Sequence, residues 1–310
     1  MKKKILIFGI TGQDGSHLAK LYVKKKCIVH GISRKKRGSF KNLIKLNILN
    51  KVKIYKIDKD FSILKNILKF NYDYIYFLGG QSSVIKSYVD FEHETFDSVI
   101  NPLRIILEFI RNQKKKSKFM FSASSEIFGS NYKNKLKIST TKKPLSPYGL
   151  SKLIGFEIVK SYREMFNLPF FSIIFFNHES SLRGDDYVIK KISNYLKDKK
   201  FKKNQKLKLG NINVIRDWGW APEYMEILSK IMSRRNIDDY IIATGKSVSL
   251  KKIIKIFFKK YNLNYKKFII IKKNYIRKFE VKENYADIRK LKKELNLKPT
   301  NTYKHLINLI

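Results

Sequence analysis

Short apolar runs alternate with helical patterns through the first half of the chain. The apolar runs predict six strands, which are Ile5–Phe8, Ile28–Ile32, Val52–Ile57, Tyr74–Leu78, Lys118–Ser122 and Phe170–Phe175. The helical patterns between them predict helices near Ser16–Lys25, Pro102–Arg111 and Pro147–Phe166. Continuous apolar strands that alternate with helices are typical of a parallel sheet covered on both faces. We therefore predict an α/β fold with a doubly wound parallel sheet.

The pattern becomes irregular after about Asn177. Helices near Tyr187–Lys197 and Glu223–Arg235 are separated by short apolar runs, and no flexible linker precedes them. We expect residues 1–176 to form the sheet domain. Residues 177–310 are expected to form mainly a smaller α/β domain, with some segments that return to the first.

A glycine-rich segment directly follows the first predicted strand and opens the first helix. Its residues are Gly9, Ile10, Thr11, Gly12, Gln13, Asp14 and Gly15. Glycines allow a tight turn and a close backbone approach to a pyrophosphate, and the helix N-terminus presents N–H groups to that anion. The spacing G-x-x-G-x-x-G at this place predicts a dinucleotide cofactor on a Rossmann-type sheet.

The end of the second strand indicates which dinucleotide binds. NAD-binding folds usually carry an acidic residue there for the ribose 2′-hydroxyl, whereas this chain has Arg34 and Arg37. Guanidinium groups suit a 2′-phosphate, so the sequence predicts NADP. Asp58 would face the adenine in such a fold. The cofactor would cross the sheet at the segment after the fourth strand, which is Leu78, Gly79, Gly80, Gln81 and Ser82.

Four residues are candidates for the chemistry. Tyr148 and Lys152 are four positions apart and lie on one face of the long predicted helix. A neighbouring ammonium would lower the pKa of Tyr148, and Lys152 could also hold the nicotinamide ribose. Ser124 offers a hydroxyl at the end of the fifth strand, and Glu126 adds a carboxylate that can remove a carbon-bound proton.

The chain resembles the GDP-mannose 4,6-dehydratases of the extended short-chain dehydrogenase type over about Lys3 to Pro299. The shared motifs occur in the expected order, and they are G-I-T-G-Q-D-G-S, V-H-G-I-x-R, L-G-G-Q-S, S-S-E-I-F-G, S-P-Y-G-L-S-K, F-N-H-E-S, L-G-N, R-D-W-G, I-A-T-G and R-x-x-E-V. The segments N-H-E-S and R-D-W-G are the ones specific to this family.

The resemblance implies roles for individual residues. Ser124 stands where the family has its catalytic Thr, and Glu126, Tyr148 and Lys152 match its other catalytic residues. His178 and Arg183 match positions that contact NADP. Substrate-binding positions are matched by Asn177, Glu179, Val188, Lys191, Leu209, Gly210, Arg216, Arg277 and Glu280. The resemblance also implies a nucleotide-sugar substrate, no metal, and a homo-oligomer, either dimer or tetramer.

Some positions depart from the family pattern. E-S-P-R-R-G reads Glu179-Ser180-Ser181-Leu182-Arg183-Gly184 here, and a Tyr expected near the cofactor aligns with His93. These changes leave the identity of the sugar open, so another GDP-sugar such as a heptose is an alternative. An epimerase or reductase of the same fold and a divergent, weakened enzyme are further alternatives.

The net charge of +42 adds a nucleic-acid-binding protein to these alternatives. However, the lysines are spread along the whole chain, and only 11 of the 67 basic residues are Arg. This dispersal favours compositional drift over a nucleic-acid site. The single Cys27 cannot form an internal disulfide, and no long apolar run is present, so we expect a cytoplasmic protein with no membrane span.

Overall fold

In the computed structural model, a seven-stranded parallel sheet forms the centre of the part of the chain that is described, residues 1–34, 40–57, 62–89, 95–129, 134–276 and 279–310. The strands are β1 Lys4–Phe8, β2 Ile28–Ser33, β3 Lys53–Lys56, β4 Tyr74–Phe77, β5 Lys118–Ser124, β6 Phe170–Phe175, β7 Asn177–Glu179, β8 Leu207–Leu209, β9 Ile215–Trp220, β10 Tyr240–Ile242, β11 Ser247–Ser249 and β12 Ile269–Ile271. The order in the sheet is β10-β6-β5-β4-β1-β2-β3, with all neighbours parallel.

Helices connect these strands. They are α1 Gln13–Lys24, α2 Lys41–Lys45, α3 Leu64–Leu68, α4 Val84–Ser87, α5 Ile100–Arg111, α6 Pro147–Phe166, α7 Val188–Lys197, α8 Ala221–Met232, α9 Leu250–Lys259 and α10 Arg289–Leu295. Short 3₁₀ helices occur at Leu49–Lys51, Ser125–Ile127, Lys200–Lys203, Tyr265–Lys267, Lys273–Tyr275 and Tyr303–Leu309. The long helix α6 has the predicted bounds, with Pro147 in its first turn and the Ser146 hydroxyl accepting the Gly149 N–H at 3.0 Å.

The sheet is buried on both faces, as predicted. Successive side chains of a strand point to opposite faces. In β1, Leu6 and Phe8 belong to one apolar cluster, and Ile5 and Ile7 belong to a second. The fold class inferred from the pattern of apolar runs is therefore confirmed.

The chain after residue 176 forms smaller sheets. Strands β11-β9-β7 make a three-stranded sheet and β12-β8 a two-stranded one, packed around a third apolar cluster that includes Ile189, Trp218 and Phe257. Strand β10 returns to the central sheet and pairs with β6. The exact division at residue 176 stays a prediction.

Two differences from the predicted elements have physical causes. Helix α1 begins at Gln13 rather than Ser16, because Gly12 takes the extended N-cap conformation and the first turn contains the polar Gln13 and Asp14. Strands of three residues, such as β10, are too short to show a period of two.

The described residues show neither a membrane-spanning helix nor a cluster of metal ligands. None of their helices has the length and apolar character that a membrane crossing requires. In the same ranges, no cluster of three or more His, Cys, Asp or Glu side chains could hold a metal ion.

Candidate active site

The glycine-rich loop is closed by contacts between backbone atoms. Gly9 has a φ of +78°, and a Cβ there would lie 2.8 Å from the Cα of Gly79, in the loop that follows β4. A Cβ on Gly15 would lie 2.2 Å from the carbonyl oxygen of Gly9. The predicted cofactor segments at Gly9–Gly15 and Leu78–Ser82 therefore meet at the carboxyl edge of the sheet. The two segments leave backbone exposed at the N-terminus of α1, with no side chain between them. This arrangement fits a pyrophosphate.

The side chains of Gln13 and Asp14 contact the segment 178–180. Gln13 Nε2 donates to the His178 carbonyl at 3.2 Å, and Gln13 Oε1 accepts from the Ser180 hydroxyl at 2.9 Å. Asp14 Oδ1 lies 2.9 Å from His178 Nε2, and His178 Nδ1 lies 2.7 Å from the Phe176 carbonyl oxygen. These contacts hold the first turn of α1 against β7. Contact of Gln13, Asp14 or His178 with a cofactor stays a prediction.

The Asp14–His178 pair is an ion pair in a mostly buried place. Burial by itself would raise the pKa of Asp14, but His178 outweighs it through its charge and hydrogen bond, so that the pKa is about 2. Burial likewise disfavours the charged form of His178, yet Asp14 raises the pKa of His178 above its usual value. A charged carboxylate at the N-terminus of α1 would repel a pyrophosphate, and the imidazolium offsets that charge.

Glu179 and Arg183 form a second buried pair beside the first. Glu179 Oε2 lies 3.4 Å from Arg183 Nε, and neither atom has a hydrogen-bond partner in the described part of the chain. The guanidinium group stacks over the Tyr187 ring at 3.6 Å from its centre, and the Tyr187 hydroxyl lies 2.6 Å from the Ser82 hydroxyl. Burial raises the pKa of Glu179, although the Arg183 charge works against it.

The four predicted catalytic residues lie where β5 ends and α6 begins. The Ser124 hydroxyl accepts the Glu126 N–H at 3.3 Å and so caps the short 3₁₀ helix that carries Glu126. Helix α6 packs closely on this turn, because a Cβ on Gly149 would lie 2.8 Å from the Glu126 carbonyl oxygen. Only glycine lets the two backbones come this near, and the approach places Tyr148 beside Ser124 and Glu126.

The pKa of Tyr148 does not follow the expectation from the sequence. Burial raises it above the usual value, and the Glu126 charge adds to this, whereas a hydrogen bond with Ser124 lowers it. Lys152 is directed elsewhere, because its Nζ donates to the Ser122 carbonyl at 2.9 Å. Burial in turn lowers the pKa of Lys152 to about 8. The expected lowering of the Tyr148 pKa by Lys152 is therefore wrong for this arrangement.

The predicted substrate-side residues are spread over the smaller sheets. Arg216 lies in β9, 5% exposed, and donates through Nη1 to the Ile215 carbonyl at 2.9 Å. Glu280 accepts a hydrogen bond from the side-chain amide of Asn211 at 2.9 Å, and Asn211 directly follows Leu209 and Gly210 in the chain. The remaining ones that the structure describes stand on β7 or in α7, and they are Asn177, Glu179, Val188 and Lys191. Their contact with a substrate stays a prediction.

Some predicted positions lie outside the described residues. They are Arg37, Asp58, His93 and Arg277. Of the predicted 2′-phosphate ligands, Arg34 is described; it is exposed and directly follows β2. The β2 end itself is joined to the glycine loop by the hydroxyls of Thr11 and Ser33, 3.1 Å apart.

Two residues near the site carried no predicted role. Tyr187 contacts both Ser82 and Arg183, and its position directly before Val188 was the available signal. Asp217 is completely buried and accepts hydrogen bonds from the Thr244 N–H at 2.9 Å and the Gly245 N–H at 2.7 Å. It lies in the R-D-W-G motif, where only its Arg had been considered.

Comparison with known sequences gives one consistent result. The family described as GDP-mannose 4,6 dehydratase matches residues 6–310. The chain is 34% identical to GDP-mannose 4,6 dehydratase 1 of Arabidopsis thaliana, covering 100% of this chain and 89% of the relative. It is 32% identical to GDP-mannose 4,6 dehydratase of Drosophila melanogaster, covering 99% and 84% respectively.

Comparison with solved structures supports the fold. A UDP-glucuronic acid 4-epimerase from Bacillus cereus, in complex with UDP-glucuronic acid and NAD, superposes with a TM-score of 0.87 at 22% identity, covering 99% of this chain and 97% of that one. The dTDP-glucose 4,6-dehydratase DesIV from Streptomyces venezuelae, with NAD bound, gives 0.86 at 16% identity, with 99% and 96% covered. Both likenesses show a shared architecture.

Proposed function

The chain belongs to the GDP-mannose 4,6 dehydratase family, and on this basis we propose that it converts GDP-mannose to GDP-4-keto-6-deoxymannose, a hydro-lyase reaction. The observation that carries the proposal is the grouping of Ser124, Glu126 and Tyr148 where β5 ends and α6 begins. An epimerase of the same fold needs a hydroxyl and a tyrosine there. Glu126 adds the base that water elimination requires.

We propose that the chain's own residues move protons in three steps. Tyr148 takes the proton of the sugar 4-hydroxyl, while Ser124 hydrogen-bonds near the same oxygen. Glu126 then takes the C5 proton, which the 4-ketone has made acidic, and gives it to the 6-hydroxyl as this leaves as water. C5 is finally reprotonated by a proton from solvent, and Tyr148 releases the proton that it took, so both residues return to their starting protonation states. When bound, the nicotinamide supplies the acceptor for the C4 hydride and the donor that returns it to C6, so no net oxidation occurs.

Burial opposes the ionisation of Tyr148 that the first step needs, so neighbouring groups have to offset it. A buried neutral phenol needs a path for its proton, and Lys152, with a pKa of about 8, can exchange one near neutral pH. If the Lys152 ammonium left the Ser122 carbonyl, it would be free to stabilise a tyrosinate at Tyr148. Arg183 is a second nearby cation, and its charge lowers the Tyr148 pKa.

We propose NADP as the cofactor. The support is the absence of an acidic residue at the β2 end in the described segment up to residue 34, together with the exposed Arg34 there. Measured dissociation constants should be lower for NADP than for NAD, and Arg34→Ala should lose this preference. Arg235→Ala removes the same charge from another exposed position and should keep the preference. Equal constants for the two cofactors in the parent protein would refute the NADP proposal.

We propose further that the protein acts in the cytoplasm as a homo-oligomer. Helix α6 supports self-association, because its Leu150, Met165 and Phe166 are more than a third exposed.

The test of the reaction uses Glu126→Gln. The parent protein, incubated with NADP and GDP-mannose, should give a product lighter by one water. When the reaction is run in heavy water, the product should carry deuterium at C5. The variant should still oxidise C4, seen as the absorbance of reduced nicotinamide, and should stall before water is lost. Tyr148→Phe should stop the reaction earlier, with no such absorbance. Normal dehydration by Glu126→Gln would exclude the proposed role of Glu126, and a 4-epimer as product would favour the epimerase alternative.

A further inference from the structure

A cavity of about 1030 Å³ lies apart from the predicted active site. Four segments line it: the loop before α6, the loop after β10, the start of α10, and residues 298–302. None of its lining residues is among the predicted catalytic, cofactor-binding or substrate-binding residues. The cavity therefore calls for an explanation of its own.

Positive charge converges on this cavity. Its cationic lining residues are Lys135, Lys137, Lys246, Arg289, Lys292 and Lys298. The one acidic lining residue is Asp287, whose carboxylate accepts from Arg289 Nε at 3.0 Å and Nη2 at 2.6 Å. In the described part of the chain, the five lysines make no ion pair with a carboxylate.

The shape of the site separates it from the general basicity of the chain. Unpaired lysines are common in a protein with 67 basic and 25 acidic residues. Cations that line a concavity, however, add their potentials inside it, and a bound anion relieves their mutual repulsion. Ala286, Ile288 and Pro299 provide an apolar part of the wall, which suits a ring or a carbon skeleton attached to the anion.

We propose that this cavity binds a small organic oligophosphate, such as a nucleoside di- or triphosphate, at a site separate from the cofactor and the sugar nucleotide. Several clustered cations match a ligand with several charges on a short chain. A single phosphate would engage too few of them.

The cavity is joined at two points to strand β9, whose Arg216 we expect to bind the sugar nucleotide. Thr244 and Gly245, in its wall, donate to Asp217, which follows Arg216 in β9. Thr300, also in the wall, donates to Glu223 through its N–H at 2.8 Å and its hydroxyl at 2.6 Å. Glu223 lies in the first turn of α8, directly after β9. A ligand that orders this wall therefore also orders the strand that carries Arg216, and it changes the affinity for the sugar nucleotide.

The binding test uses inorganic tripolyphosphate as the probe and calorimetry as the readout. NADP and GDP are present at saturation, so that other phosphate-binding places are filled. Lys246→Glu/Lys298→Glu should weaken probe binding by about tenfold or more, because reversal of two charges in one cavity opposes the anion. Lys65→Glu/Lys69→Glu, at exposed positions in α3 and directly after it, changes the net charge equally. This control pair should leave probe binding within about twofold of the parent.

Two outcomes would overturn the proposal. Equal weakening in the two charge-reversed proteins would mean that general charge attracts the probe, and no saturable binding in the parent would mean that the cavity takes no such ligand. The coupling has its own readout, the GDP dissociation constant measured with and without tripolyphosphate. Competition at the GDP site itself affects the parent and the cavity variant alike. An identical effect of the probe in both would exclude the coupling to β9.

Discussion

The cofactor loop and the region from β7 to β9 are built by different forces. The loop depends on backbone atoms in close contact, with Gly9 and Gly15 as the residues that allow it. The second region depends on buried charges, namely His178 paired with Asp14 from the loop, the Glu179–Arg183 pair and the hydrogen-bonded Asp217. The first should tolerate a change of pH but no added atom. The second should tolerate small changes of shape but not a change of charge.

The largest effect is expected where shape alone decides. In Gly15→Ala the new Cβ would lie 2.2 Å from the Gly9 carbonyl oxygen and 2.7 Å from the Ile10 Cα, and neither backbone atom can move without opening the loop. Overpacking of this kind costs about 1–3 kcal/mol, which is about 5-fold to 150-fold in the cofactor dissociation constant if binding must restore the loop. Fluorescence titration with the cofactor measures it.

A matched glycine provides the control for that substitution. In Gly184→Ala the new Cβ would lie 3.5 Å from the Tyr187 ring, an ordinary contact distance. Its cofactor affinity should stay within about twofold of the parent. The same affinity in both alanine variants would mean that the close approach at Gly15 does not shape the cofactor site.

The second effect tests charge without a change of shape. Asp217 accepts from three donors, two on Thr244 and one on Gly245. Burial raises its pKa to about 6, so above pH 7 it is a carboxylate. In Asp217→Asn an amide N–H₂ must face one of these donors, which should cost about 1–2 kcal/mol of the free energy of unfolding. Denaturant unfolding above pH 7 measures it.

Asp198→Asn is the control for this change. Asp198 is about half exposed, and its oxygen lies 3.7 Å from Lys200 Nζ, so its replacement should alter the free energy of unfolding by less than about 0.5 kcal/mol. If the two variants are equally stable, the buried hydrogen bonds of Asp217 do not hold β9 in place.

The same contrast explains what the sequence could predict. The sheet around β1 and the glycine loop follow from local patterns, because alternation and close turns leave marks in neighbouring residues. The contacts of Gln13 with Ser180 and of Asp14 with His178 join residues more than 160 positions apart. A single sequence carries no trace of such pairing. The direction of Lys152 toward Ser122 was missed for a related reason, since helical spacing fixes a face but not the partner across it.

The smallest effect sharpens the comparison, because His178 of the second region and His30 of the central sheet should respond to pH in opposite ways. His178 has a raised pKa owing to Asp14, so its contribution to stability is fully present below pH 6.5 and is lost as the pH rises through the folded-state pKa. His30, in β2, lies 2.8 Å from the Tyr72 hydroxyl, and burial lowers its pKa. Its contribution is largest above pH 6.5 and falls as the pH drops toward the folded-state pKa.

Unfolding experiments on His178→Gln and His30→Gln can separate the two cases. The loss of stability in His178→Gln should be largest between about pH 4 and 6.5 and should shrink at higher pH. The loss in His30→Gln should grow as the pH rises to 6.5. The two differences should therefore change with pH in opposite directions, because the pKa of His178 is raised and that of His30 is lowered. The contribution of Asp14 to stability is lost as the pH falls below 3.8, because this carboxylate is protonated with a pKa of about 2 in the folded protein. Parallel pH profiles for the two variants would contradict the contrast, because a neutral His178 would then be buried in the same way as His30.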